Sequence, residues 1–332
     1  MSFYDIINIV KQGRLFMKKI VIFGGGTGLS QILKGLRLFP LDITAVVSVS
    51  DSGRSTGALR KIYDIPAIGD LSKVLISTSN LDDDVIELLN YRVKGSNKEN
   101  EYNHSIKNLI LTALVDIHGS VDKALTVFCE IFNIENKVLP ITEESVNLIA
   151  KTDDGEVIIG ENEITEAKKN IKTIWYDKAF LVNPKVIKSI ESADLIIFSP
   201  GSLYTSILPH IMIKDVAEAM NKSKAKKMYI ANLVTQPGET NNLPLSSHVK
   251  ILNKYLNFGI DVVVANKKIS NALCEKYQTR EQKVPVDFDE KELKKIVNDI
   301  IADKIYKVEN GFIRHDSLKT AYLIFSYLMD GR

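Results

Sequence analysis

The sequence predicts an α/β fold built on a mostly parallel sheet, and three observations carry that prediction. Ile20, Val21, Ile22 and Phe23 form a short apolar run that breaks at Gly24, Gly25 and Gly26, as a buried strand entering a turn does. From Gly28 onward the apolar positions Leu29, Ile32, Leu33 and Leu36 fall on one face of a helix. The same order returns later in the chain, with connections too long for hairpins, so neighbouring strands run parallel.

The first unit, Lys18 to Ser30, reads KKIVIFGGGTGLS. A strand, a glycine turn and a helix in that order leave helix N–H groups at the positive end of a dipole, where an anion can approach the bare backbone. Gly24, Gly25, Gly26, Thr27 and Gly28 are therefore candidate phosphate-binding residues. Leu29 stands where a dinucleotide fingerprint needs a small residue, and no lysine follows to make a P-loop. A tight turn without ligand is the alternative.

A second strand, Ile43 to Val49, ends in Ser50, Asp51, Ser52 and Gly53, at the sheet edge where ligands gather. Asp51 there can accept from a ribose hydroxyl, hold a Mg²⁺ ion or close an Asx turn. Ser55, Thr56 and Arg60 follow in the same loop, and Asp70 either caps the next helix or serves the site. After a polar stretch from Lys94 to Asn103, a helix opens at His104 and Ser105, with Asn108 one turn on. His104 and Asn108 then face one way, toward a cleft or into an ordinary helix start. A helix from Val121 to Phe132 precedes a hairpin at 148–160, turned by Asp154 and Gly155.

In the second half Leu195 to Phe198 is a buried strand that breaks at Ser199, Pro200, Gly201 and Ser202. A helix is expected from Leu203 to Leu208, stopped by Pro209, with Tyr204 in its first turn. Strands follow at Met228 to Ala231 and Asp261 to Ala265. Between them lies a loop dense in amides and hydroxyls, including Asn232, Thr235 and Gln236. A charged helix is expected at 290–301, a turn at Asn310 and Gly311, and a last helix ending at Met329.

Composition sets the outer limits. The chain has 332 residues, 45% hydrophobic and 25% charged, with a net charge of +2, which gives no general attraction to nucleic acid or to a membrane surface. No apolar run approaches the roughly 18 residues of a membrane span. Cys129 and Cys274 and the five histidines have no metal-ligand spacing, so a protein zinc site is not expected and a reducing cytoplasm is. Residues 1–16 precede a second methionine, Met17, and read as an N-terminal appendage.

GGGTGLS, the SDSGRSTG loop, IGDL, NHSIKNLILTAL, SPGSLYTSILP, ANLVTQPGET and the late RHD together resemble the YvcK/CofD-like family, in its gluconeogenesis-factor branch. The match is colinear from Met17 onward, so residues 17–332 are expected to form a single domain of this type. The resemblance implies a Rossmann-like fold with helices on both faces and an inserted β-hairpin and helical region. It implies a cytoplasmic regulator that binds a UDP-sugar such as UDP-N-acetylglucosamine and links carbon metabolism to cell-wall synthesis and cell shape, more a binding protein than an enzyme. Its partners would be that ligand and regulatory or cell-wall proteins, and a homo-oligomer is expected. A related branch implies a second reading, a Mg²⁺-dependent phospholactyl transferase, and an NAD(P)-binding oxidoreductase is a third.

The chain departs from the family pattern at Ser52, where a second aspartate is usual, at Ser72 and Lys73, which replace an arginine and an asparagine, and at Lys107, which replaces a glycine. Losing a carboxylate at Ser52 weakens the transferase reading. The expected ligand site comprises Gly24 to Gly28, Asp51, Ser52, Asp70, Asn108, Gly201, Ser202, Tyr204, Asn232, Thr235, Gln236 and Arg314. Arg314, from the RHD motif, is expected to fork onto the diphosphate.

Overall fold

The computed structural model of the protein describes residues 17–93, 103–134, 137–257, 259–269, 283–309 and 311–331. The appendage at 1–16, Cys274, Asn310 and most of the polar stretch after Val93 lie outside them. The chain opens with β1 (Lys18–Gly24), α1 (Gly26–Leu36) and β2 (Leu41–Val47). Helices α2 (Arg54–Tyr63), α3 (Gly69–Thr78), α4 (Asp83–Asn90), α5 (Ile106–His118) and α6 (Val121–Ile131) lead to β3 (Lys137–Pro140). An inserted module follows, with β4 (Leu148–Thr152), β5 (Val157–Ile159), α7 (Glu161–Ala167) and β6 (Ile171–Tyr176).

The main sheet then resumes with α8 (Pro184–Glu191) and β7 (Leu195–Phe198). A π-helical turn (Leu203–Ile207), α9 (Leu208–Ile211) and α10 (Lys214–Lys222) precede β8 (Lys226–Ile230), α11 (Leu245–Tyr255) and β9 (Val262–Asn266). The chain closes through α12 (Glu290–Leu293), β10 (Asp299–Asp303), the hairpin β11 (Tyr306–Glu309) and β12 (Phe312–His315), and α13 (Ser317–Met329).

Seven strands form one sheet in the order β10-β9-β8-β7-β1-β2-β3, and every neighbouring pair is parallel. The chain moves outward from β1 to β3, returns to pair β7 against the other side of β1, and moves outward again to β10. This is a Rossmann-like order with its switch point between β1 and β7. Right-handed crossovers running in opposite directions put their helices on opposite faces. In keeping with that, α1 packs on α3 and α13, while α8 packs on α10. A sheet covered on both faces needs strands apolar throughout, and Ile20, Ile22, Phe23, Ile197 and Phe198 are at most 1% exposed.

Close backbone approach sets one of these helix contacts. A Cβ on Gly35 would stand 2.0 Å from the Ser317 carbonyl oxygen, so only glycine lets α13 lie this tightly on α1. The inserted module is a separate three-stranded antiparallel sheet, β5-β4-β6.

Two local expectations are corrected. Residues 290–301 are not one helix: α12 stops after a single turn, and Asp299–Asp303 pairs parallel with Val262–Asn266 as the sheet's edge strand. Ile300 and Ile301 fit a helical face as well as a strand, and the open edge of β9 decides. Pro209 does not stop a helix; it sits in the first turn of α9, where no backbone N–H is needed, and the segment before it is π-helical.

Candidate functional site

The parallel register fixes the site before any side chain is considered. Phe23 lies level with both Val46 and Phe198, so the turns after β1 and β7 leave the sheet side by side at the switch point. The Ser199 N–H donates to the Phe23 carbonyl at 2.9 Å, and a Cβ on Gly28 would stand 1.8 Å from the Pro200 carbonyl oxygen. The two turns therefore touch backbone to backbone. Beyond them opens a cleft of about 310 Å³, lined by Gly25, Gly26, Thr27, Gly28, Asp51, Asp70, Glu161, Thr165, Pro200, Gly201, Ser202, Thr205, Ser206 and Gln236.

Nine of the sequence-predicted residues meet there: Gly25 to Gly28, Asp51, Asp70, Gly201, Ser202 and Gln236. Gly24 lies just beneath, its carbonyl 3.4 Å from His210 Nε2. Asp51 closes an Asx turn by accepting from the Gly53 N–H at 2.8 Å, and it also lines the cleft. Asp70 reaches across from the first turn of α3 and accepts from the Gly26 N–H at 2.7 Å. The amide expected to face a ligand is thus held by a carboxylate of the chain.

The remaining predicted residues do other work. Asn232 spends its whole amide on Gly201, accepting from its N–H and donating to its carbonyl at 2.7 Å each. It shapes the second turn and does not reach into the cleft. Thr235 is buried, and its hydroxyl accepts from the Val284 N–H at 3.1 Å. Ser52 donates to Glu163 and accepts from the Asn162 N–H at 3.0 Å, tying the second loop to α7. Asn108 is buried between helices, accepting from the Ser72 hydroxyl at 2.7 Å, while His104 contacts Ser55 at 3.0 Å. The two face different neighbours. Tyr204 is half-buried, and burial pushes its hydroxyl up to about 12.

Arg314 lies apart from the cleft. It stands exposed on β12, its guanidinium 5.4 Å from the centre of the Phe312 ring, and it is not among the residues that line the cleft. The rest of the RHD motif is structural. His315 is buried with Nε2 3.0 Å from the Ala231 carbonyl, which holds β12 against the end of β8, and Asp316 caps α13 by accepting from the Lys319 N–H at 3.0 Å. Strand alternation explains the difference, since Arg314 and His315 must point to opposite faces.

Three residues not predicted for the site shape it. Lys73, one turn after Asp70 on α3, donates its ammonium to the Thr27 hydroxyl and so places a cation on the first glycine turn. Glu161 enters from the inserted module at the start of α7. Burial, helped by repulsion from Asp51, pushes its carboxyl up to about 8. Glu239, at the end of the ANLVTQPGET stretch, takes the Ser202 hydroxyl at 2.7 and 2.6 Å, the Tyr204 N–H at 3.4 Å and the Gln236 amide at 2.8 Å. Burial pushes its carboxyl up to about 7. The Asp70 carboxyl is likewise raised, by burial and by Asp51.

The cleft thus combines backbone donors with an excess of carboxylates. Asp51, Asp70 and Glu161 supply hard oxygen donors of the kind Mg²⁺ takes. Among the described residues no three acidic, histidine or cysteine side chains converge closely enough to hold a metal ion by themselves. Among the described residues no helix is long and apolar enough to cross a membrane.

Comparison with known proteins gives the family. A family model described as 2-phospho-L-lactate transferase CofD matches residues 20–306. The gluconeogenesis factor of Bacillus subtilis is 42% identical over 316 residues, covering 94% of this chain and 98% of that protein. The gluconeogenesis factor of Listeria monocytogenes is 33% identical over 312 residues, covering 93% of this chain and 95% of that one. A crystal structure of a Bacillus halodurans protein superposes with a TM-score of 0.88 at 35% identity, covering 93% of this chain and all of that one. With the switch-point cleft, the two glycine-rich turns and this likeness along nearly its whole length, the chain belongs to the YvcK/CofD-like family, in its gluconeogenesis-factor branch.

Proposed function

We propose that this protein is a regulator that binds a nucleotide sugar, of the UDP-N-acetylglucosamine kind, in the cleft between β1 and β7, and that it reports carbon supply to cell-wall synthesis. The observation that carries this reading is the contact of two glycine-rich turns at the switch point, at Gly28 and Pro200. It sets the two turns side by side at the cleft, so that one diphosphate can meet both. Lys73 adds the positive charge, and the carboxylates of Asp51 and Glu161 are suited to the many hydroxyls of a ribose and a hexose. A pocket rich in both donors and acceptors selects a sugar over a plain phosphate.

Calorimetry tests it. UDP-N-acetylglucosamine should bind with a measurable enthalpy, UMP far more weakly, and NAD not at all. Absence of UDP-sugar binding at millimolar concentration ends this reading.

A second reading, Mg²⁺-dependent transfer of a phosphate ester as in the matching family description, has one specific observation in its favour. Glu161 restores to the cleft the carboxylate that Ser52 lacks. Asp51 and Asp70 would hold the ion, which would neutralise charge on the transferred group. Incubation with Mg²⁺, a nucleotide-activated phospholactate and a deazaflavin acceptor yields product if this reading holds and none if the protein only binds.

A further inference from the structure

Both glycine-rich turns are already engaged by carboxyl groups. On the first, the Gly26 N–H at the start of α1 donates to Asp70 at 2.7 Å. On the second, Glu239 gathers the Ser202 hydroxyl at 2.7 and 2.6 Å and the Tyr204 N–H at 3.4 Å. The donors are those a phosphate would use, since N–H groups at a helix start prefer an anion. The two carboxylates come from different elements, Asp70 from α3 and Glu239 from the loop after β8, so the arrangement is not an accident of one turn.

We propose that Asp70 and Glu239 are built-in stand-ins for the ligand's two phosphates, and that the diphosphate binds by displacing them from the Gly26 and Ser202–Tyr204 donors. This rests on the anion-binding reading of the cleft but not on the identity of the sugar. Without ligand, the carboxylates satisfy half-buried donors that would otherwise be costly to leave unpaired. With ligand, the three acidic side chains that line the cleft, Glu239 buried behind Ser202 and a diphosphate cannot all keep their charges and places. The geometry offers a simple exchange: each carboxylate gives up its N–H donors to an oxygen of higher charge. Burial already holds both carboxyls above their ordinary range, which lowers the cost of losing their ionised contacts. The consequence is specificity. A single phosphate displaces only one stand-in, whereas a diphosphate displaces both, so the cleft favours the latter.

The test measures binding of inorganic pyrophosphate and of UDP-N-acetylglucosamine by calorimetry, with EDTA and then with excess Mg²⁺. The proteins compared are the wild type, Asp70→Asn and Glu239→Gln, each checked for native circular dichroism and thermal unfolding. Removing one stand-in charge should tighten pyrophosphate binding in EDTA by roughly tenfold, the gap between charged and neutral acceptors on one donor. The double variant should tighten it further, and orthophosphate should gain less than pyrophosphate. If the folded variants bind pyrophosphate no better, or more weakly, displacement is wrong. If the wild type binds only with Mg²⁺ and neither variant lifts that requirement, the ion bridges carboxylates to phosphates and displacement is again wrong. Tightened pyrophosphate binding with no response to the UDP-sugar keeps this proposal and removes the nucleotide-sugar reading. Should either variant fail to fold, Asp70→Glu and Glu239→Asp serve instead, and each should alter pyrophosphate affinity while a purely structural carboxylate would alter only the unfolding temperature.

Discussion

Replacing Gly28 by alanine separates the two turns that make the cleft. The added Cβ would stand 1.8 Å from the Pro200 carbonyl oxygen and 2.8 Å from its carbon. Real contacts of this kind essentially never fall below 3.0 Å, so one turn must retreat by about 1.2 Å. Neither side yields easily, because the obstacle is backbone and Gly201, next to Pro200, is pinned by both amide atoms of Asn232. Overpacking of this kind costs about 1–3 kcal/mol, and a shift of an ångström at a positioned binding group costs further affinity. Urea unfolding followed by calorimetry with UDP-N-acetylglucosamine reads both. Gly201→Ala is the matched control, because its Cβ would meet only the Ser206 side chain, at 3.4 Å and beyond. If Gly28→Ala is as stable as the wild type and binds as well, the turns are not in the contact described and the site is built differently.

Three further outcomes follow from the same geometry. Lys73→Ala should weaken UDP-sugar binding by about 1.5–3 kcal/mol, the range for hydrogen bonds to charged groups, whereas Arg314→Ala should leave it unchanged; the reverse ranking would restore Arg314 to the site. Asn232→Ala removes two hydrogen bonds to the Gly201 backbone and should lower stability by about 1–3 kcal/mol, which a urea midpoint equal to the wild type's would contradict. His210, His248 and His315 are buried, and burial pushes each imidazole down to about 4 from an ordinary 6.5. The unfolded chain then binds more protons between those values, so their contribution is complete above pH 6.5 and is lost as pH falls toward 4, by about 3 kcal/mol each. Imidazole proton resonances should show all three neutral at pH 5.5, and a midpoint near 6.5 for any of them would show that it is not buried as described.

What could be read in the sequence was local and apolar. Ile20 to Phe23 and Leu195 to Phe198 announced themselves as buried strands because both faces are covered, and the glycines after them marked the turns. The meeting of those turns needed only the parallel-sheet rule. Residues 290–301 could not be resolved this way, since a short mixed stretch takes the structure of whatever edge is open to it. Glu161 carried no local signal: it acts in the cleft only because an inserted sheet delivers the start of α7 there. Glu239 and Lys73 stand inside or beside the glycine-rich motifs, but a lone carboxylate or lysine has no sequence pattern that separates a cleft residue from a solvated one. Arg314 was assigned to the site by its motif alone, and strand alternation sends it outward while His315 turns in. Asn232 and Thr235 show the commonest fate of a polar side chain, which is to bond the backbone, and Asn108 is spent on the Ser72 hydroxyl.

A crystal structure of the protein with UDP-N-acetylglucosamine tests the central claim most directly. Diphosphate density is predicted between Gly25–Gly28 and Gly201–Ser202, within hydrogen-bonding reach of those backbone amides and of Lys73. Ligand lodged instead in the groove between α6 and α8, beside Cys129 and Lys185, or a switch-point cleft left without ligand at saturating concentration, would contradict it.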